Sequence, residues 1–150
     1  MFKKVLVPLD GSALAESALP YVKKLAGGGN IGEVLLLTIT EINIPYGDIK
    51  QNFDIQAFRD TTFDKSRKYL AGVQASLRAE GLKVETEVKE GSNPAQAIAD
   101  FSEEHGVDMI VIATHGYTGM KKMLIGSVAF KVLHVSHVPV LLIRPETSRK

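Results

Sequence analysis

The sequence predicts an α/β protein: a single domain, residues 1–150, on an open, doubly wound, parallel five-stranded sheet with helices on both faces. Three observations carry this prediction. Apolar runs alternate with helix-period stretches along the whole chain, the pattern of repeated βαβ units. Two of the runs, Lys4-Val5-Leu6-Val7-Pro8-Leu9 and Asp108-Met109-Ile110-Val111-Ile112-Ala113, are apolar almost throughout, as strands buried on both faces must be. The length, 150 residues, is that of one ordinary domain.

Each element follows in order. The first strand, Lys4 to Leu9, is ended by Asp10-Gly11-Ser12. Leu14, Ala18, Leu19, Val22 and Leu25 then recur at helical spacing, with Ser12 as N-cap and Gly27-Gly28-Gly29 as the stop. Pro20 lies inside that span and predicts a kink, not a break. Residues 33–40 form the second strand around Val34-Leu35-Leu36-Leu37. Residues 42–53, with Pro45, Gly47 and no period, predict an irregular mobile loop able to reach over the carboxyl edge of the sheet. Residues 54–80 read as a long amphipathic helix, with Ile55, Phe58, Thr62, Tyr69, Val73 and Leu77 as its inner stripe and Gly81 as its C-terminal cap.

Lys83-Val84-Glu85-Thr86-Glu87-Val88-Lys89 alternates polar and apolar residues, the mark of a strand with one wet face. Asn93 as cap and Pro94 at the first helical position open the next helix, which runs through Ile98 and Phe101 to about Gly106. After the fourth strand a glycine-containing loop is expected over residues 114–126, and Ser127 is expected to open the last helix through Val128, Val132 and Leu133. Val138-Pro139-Val140-Leu141-Leu142-Ile143 is the last strand, with Pro139 near its start, where a missing N–H matters least.

The two doubly buried strands belong together at the centre, and the alternating third and proline-bearing fifth belong at the edges. Strand order 3-2-1-4-5 satisfies both. It puts the topological switch point between strands one and four, where ligands bind outside the strand carboxyl ends. The residues there are Asp10-Gly11-Ser12 and Ala113-Thr114-His115-Gly116.

Composition removes several function classes. Eighteen Lys and Arg stand against seventeen Asp and Glu, a formal charge of +1 with both signs scattered. That balance offers no electrostatic footprint for nucleic acid or an anionic membrane. Cysteine is absent, so disulfides, thiolate catalysis and Cys-ligated zinc are excluded. No stretch approaches the ~18 apolar residues of a membrane span. The apolar start stops at Asp10, too short for a secretory leader. A cytoplasmic protein is expected.

Few motifs survive inspection. Gly27-Gly28-Gly29-Asn30-Ile31-Gly32 matches G-x-G-x-x-G by letter, but it leaves a helix and enters a strand, the reverse of a dinucleotide fingerprint. It reads as a turn. His134 and His137 have a metal-compatible spacing with no carboxylate near them in sequence, so they read as surface or capping groups. No G-x-S-x-G elbow and no convergent Ser, His and Asp set suggests a hydrolase. What stands above background is Ala113-Thr114-His115-Gly116, nine further residues, then Gly126-Ser127-Val128. Gly116 just past a central strand lets a backbone pass close to a ligand. Gly126-Ser127 at a helix start supplies N–H groups and a positive dipole end for a phosphate. Ser127 either bonds such a phosphate or caps its own helix. Asp10 either accepts from a ribose or adenine group or simply turns the chain.

The starting V-x-V-P-x-D-G-S pattern, the late glycine pattern and the V-P-V-L-L-I-R ending together resemble the universal stress protein family over the whole chain. Nucleotide-binding members of that family carry G-x-x-G, nine residues, then G-[ST]. Gly116, Gly126 and Ser127 match, while Ala113 replaces the first glycine. The resemblance implies that Pro8, Asp10 and Ile39 line the adenine and ribose side. It implies that Ile112, Ala113, His115 and Gly116 floor the ribose and phosphates, and that Gly126, Ser127 and Val128 hold the phosphates. It further implies ATP or another adenine nucleotide with Mg2+ as cofactor, and a homodimer through the strand Val138 to Ile143.

Three functions follow. The first is a stress-response sensor or regulator that binds adenine nucleotide. The second is a nucleotide-free dimeric interaction module, supported by Ala113. The third is an ATP-hydrolysing enzyme of the related adenine-nucleotide α-hydrolase group, whose S-G-G-x-D-S loop is missing from Pro8-Leu9-Asp10-Gly11-Ser12. Slow hydrolysis assisted by His115 and magnesium is compatible with the first, but no general base is identified and no catalytic residue is assigned.

Overall fold

The computed structural model describes residues 1–42, 54–114 and 124–145, with the backbone course alone at residues 124–126. The loop expected at residues 42–53, apart from Ile42, and that at residues 114–126, apart from its two ends, lie outside the described residues. The chain runs β1 (Phe2–Pro8), α1 (Ala13–Glu16), α2 (Leu19–Gly27), β2 (Ile31–Thr40), α3 (Ile55–Arg78), β3 (Val84–Glu90), α4 (Pro94–Glu104), β4 (Met109–Ala113), α5 (Leu124–Val135) and β5 (Val140–Ile143). The five strands are parallel in the order β3-β2-β1-β4-β5, as the sequence predicts. In register, Leu6 of β1 stands between Leu35 of β2 and Ile110 of β4.

Successive side chains of a strand point to opposite faces, and here both faces are apolar. Val5 and Val7 of β1, Val34 and Leu36 of β2, and Val111 of β4 pack with Val22 of α2 and with Leu70 and Leu77 of α3. Leu6, Leu35, Leu37, Ile110 and Ile112 pack with Ile98 and Phe101 of α4 and Ala129 and Val132 of α5. This explains why β1 and β4 read as unbroken apolar runs. Burying each such Leu, Val or Ile stabilises the fold by about 1.5–3 kcal/mol before the entropy of ordering is subtracted. Gly32, opposite the start of β1, is fixed by close packing: an added Cβ would stand 2.8 Å from the Lys3 carbonyl oxygen.

Three expectations need correction. Pro20 does not kink one helix; it sits in the first turn of α2, after a separate short α1. A proline there leaves no unmet bond, because the first N–H groups of a helix have no intrahelical acceptor. Ser17 closes the gap, its hydroxyl donating to the Leu14 carbonyl at 2.6 Å. The inner stripe of α3 also shifts. Ile55 is 46% exposed, and Leu70, absent from the expected stripe, is fully buried. Last, Ser127 does not open its helix: α5 begins at Leu124, so Ser127 lies in its first turn and is not its N-cap. The Asn93–Pro94 start of α4 is as expected, with Asn93 Oδ1 accepting from the Gln96 N–H.

Candidate functional site at the strand carboxyl ends

A cavity of about 340 Å3 opens at the carboxyl ends of β1 and β2. The end of β1 gives it Pro8, Leu9 and Asp10, and that of β2 gives Leu37, Ile39 and Glu41. From the helices come Pro94 and Ile98 of α4 and Ser127, Val128 and Lys131 of α5. Its size is near the low end of the ~300–1,000 Å3 typical of small-molecule sites. Volume alone does not single it out, since a hollow of about 320 Å3 lies beside Ser17, Pro20, Tyr21 and Lys24. Position and lining do. The cavity opens at the strand carboxyl ends beside the switch point, and among the described residues it has an apolar floor and three ionisable side chains on its walls.

The wall at β1 is held by short bonds that continue the ladder past the strand end. The Leu9 N–H donates to the Leu37 carbonyl at 2.8 Å, and the buried Thr38 hydroxyl donates to the Leu9 carbonyl at 3.0 Å. Asp10 then turns the chain. Its Oδ1 accepts from the Ser12 N–H at 2.9 Å and the Ser12 hydroxyl at 2.6 Å, while Ser12 Oγ accepts from the Ala15 N–H at 3.1 Å to cap α1. Gly11, at φ +90°, supplies the left-handed backbone this turn requires. Asp10 is therefore both a turn residue and a cavity residue.

Tyr69 of α3 braces the same turn from the opposite face, its hydroxyl donating to the Glu16 carboxylate. Burial pushes the Tyr69 phenol well above its ordinary range; the hydrogen bond to Glu16 and the charges of Glu16 and Asp10 add to this, and the Gly11 backbone opposes it. The phenol thus stays protonated and donating at neutral pH.

Of the residues singled out from sequence, Pro8, Asp10, Ile39, Ser127 and Val128 line one cavity. Ile112 and Ala113 end β4 with their side chains in the two cores, Ile112 beneath α4 and α5 and Ala113 on the other face. Gly126 lies in the first turn of α5. His115 and Gly116 lie outside the described residues. Sequence reading missed Glu41 and Lys131. The usable signals were spacing: Glu41 stands just past β2, two residues beyond Ile39, and Lys131 is four beyond Ser127 on α5. It also missed that Glu103 of α4 reaches the His137 imidazole, a pairing across 34 positions of sequence. Among the described residues no group of three or more His, Asp or Glu is placed to hold a metal ion. Nor is any helix there long and apolar enough to cross a membrane.

Comparisons with known proteins agree with this fold. A family model described as the universal stress protein family matches residues 1–144. Universal stress protein MJ0577 of Methanocaldococcus jannaschii is 31% identical over 160 residues, covering 99% of this chain and 98% of that one. Its solved structure superposes with a TM-score of 0.79, covering 99% of both chains. Universal stress protein YxiE of Bacillus subtilis is 31% identical over 152 residues, 96% of this chain and 100% of its own length. An Arabidopsis thaliana family protein solved with AMP bound shares the fold at a TM-score of 0.69 and 18% identity, covering 97% of this chain and 93% of that one.

Proposed function

The chain belongs to the universal stress protein family, and on that premise we propose that it is a cytoplasmic stress-response sensor or regulator that works by binding an adenine nucleotide, ATP foremost. The observation that carries the reading is the switch-point cavity, which gathers Pro8, Asp10, Ile39, Ser127 and Val128 around an apolar floor. The base and ribose lie against Pro8, Asp10 and Ile39. The phosphates lie toward the first turn of α5, over Gly126, Ser127 and Val128, with the backbone at Ile112 and Ala113 beneath them; His115 and Gly116 lie outside the described residues. The N–H groups of that first turn have no intrahelical acceptor and suit an anion. Magnesium would come with the phosphate oxygens and keep most of its water, as this ion ordinarily does at nucleotide sites.

Ala113 supports the nucleotide-free alternative by sequence alone. Its methyl is 1% exposed and packed in the core with Val7 and Val111, so it takes no space from the cavity. The subunit works as a homodimer through the β5 edge, which leaves the cavity lining to each subunit's own residues. The test is direct. Protein purified natively is denatured and the released small molecules are weighed by mass spectrometry; refolded, ligand-free protein is then titrated calorimetrically with ATP and magnesium. An adenylate in the first step, and saturable heat below millimolar ligand in the second, are expected. No adenylate and no heat at millimolar ATP overturn the reading.

A further inference from the structure

Lys131 is the one cation lining the switch-point cavity among the described residues, and the carboxylates, Asp10 and Glu41, come from the β1 and β2 side. Lys131 follows Ser127 by four residues and Val128 by three, so the three side chains share one face of α5. It is exposed, and among the described residues neither it nor Glu41 takes part in an ion pair. Asp10 is already engaged with Ser12. Among the described residues the cavity is therefore polarised, with negative charge on the strand wall and one positive charge on the helix wall. Such an arrangement orients a ligand that has a neutral donor-bearing end and an anionic end, and it favours the ligand in proportion to the charge at that second end.

We propose that Lys131 reads the charge of the ligand, holding phosphate oxygens at the α5 wall so that the cavity prefers adenosine polyphosphates to adenosine. The proposal rests on the adenylate reading above and adds a residue and a selectivity to it. The ammonium is a mobile point charge on a flexible stem, suited to a chain of phosphates of variable length. It reaches them without a metal ion, so the preference persists in a chelator. Because the group is exposed, salt weakens it.

Ligand-free wild-type protein and the variants Lys131→Ala, Lys131→Gln and Lys131→Arg are each titrated with adenosine and with ATP in EDTA, at low and at high salt. Wild-type protein is expected to favour ATP over adenosine. Lys131→Ala and Lys131→Gln are expected to weaken ATP binding about three- to fivefold, as for a screened charge pair, and to leave adenosine binding within about 1.5-fold. Lys131→Arg retains the preference, and high salt narrows the difference between wild type and Lys131→Ala. Equal losses for both ligands, or no loss for ATP, overturn the role of Lys131 while leaving the adenylate reading intact. A wild-type protein that binds neither ligand in EDTA overturns the role of Lys131, and one that also binds no ATP with magnesium overturns both readings.

Discussion

The two edges of the sheet are built to opposite specifications. At one edge, β3 carries Glu85, Glu87 and Lys89 outward and buries Val84 completely. Side chains of α3 close that edge further. Arg59 grips Glu90 through both guanidinium nitrogens, and Arg78 and Gln74 both donate to the Val84 carbonyl, at 2.8 and 2.9 Å. At the other edge, β5 has four residues, Val140 to Ile143, and no charge. Leu141 is 36% exposed there, and α5 beside it leaves Phe130 59% and Leu133 48% exposed. Charge and covering side chains protect a strand edge from pairing, whereas bare apolar residues invite it. One edge is finished against water; the other leaves apolar side chains exposed to it.

The largest effect is expected where that difference is erased on the β5 side. If the proposed homodimer forms through β5, Leu141→Lys combined with Phe130→Lys should raise its dissociation constant at least about a hundredfold, because apolar anchors carry most of an interface's energy. The subunit itself should still fold. Sedimentation equilibrium checks this, and an unchanged association constant would remove β5 from the interface. Val140 and Leu142 are poorer choices, since both pack against their own subunit's α4 and α5 cluster.

A smaller effect is expected on the β3 side. Val84→Ala should lower stability by roughly 1–2.5 kcal/mol in urea unfolding, the range for losing buried methyl groups. It should leave self-association untouched, because this edge faces water. Arg59→Ala is expected to be smallest. Both partners of the Arg59–Glu90 pair are more than a third exposed, so the loss should stay below about 1 kcal/mol and vanish in molar salt. A loss that survives such salt would mean the pair is more than a solvated lock.

The same contrast shows what could be read from the chain. The alternation of Val84, Thr86 and Val88 with charged residues marked β3 as an edge, and the continuous apolarity of β1 and β4 marked the centre. Periodicity records how many faces are buried, so strand order was legible. Helix starts were not. Ser127 looks like an N-cap by residue type, yet α5 begins three residues earlier. A polar letter marks a possible cap, whereas the true start depends on the course of the preceding backbone. Pro20 was ambiguous for a related reason, since the same proline kinks a helix interior or fits a first turn. In the site, Asp10 was legible as a strand-end residue, whereas Pro8 and Ile39 came only with the family resemblance. Lys131 and Glu41 were not legible, because facing a cavity is a property of two elements together.

Asp108 has a consequence for the order in which the molecule can be assembled. Its carboxylate accepts from the Lys3 and Lys4 N–H groups at 2.7 and 3.0 Å, and its own N–H donates to the Lys4 carbonyl at 2.8 Å. The first-made strand is thus secured at the middle of the sheet by a residue more than a hundred positions later in the chain. On a ribosome, β1, β2 and β3 can pair well before β4 emerges, leaving the apolar stretch Val5 to Pro8 of β1 as the open edge of a half-built sheet. Contacts so distant in sequence slow folding and lengthen the life of such edges. Nascent chains halted between β3 and β4 are therefore expected to be the species most prone to stick to one another.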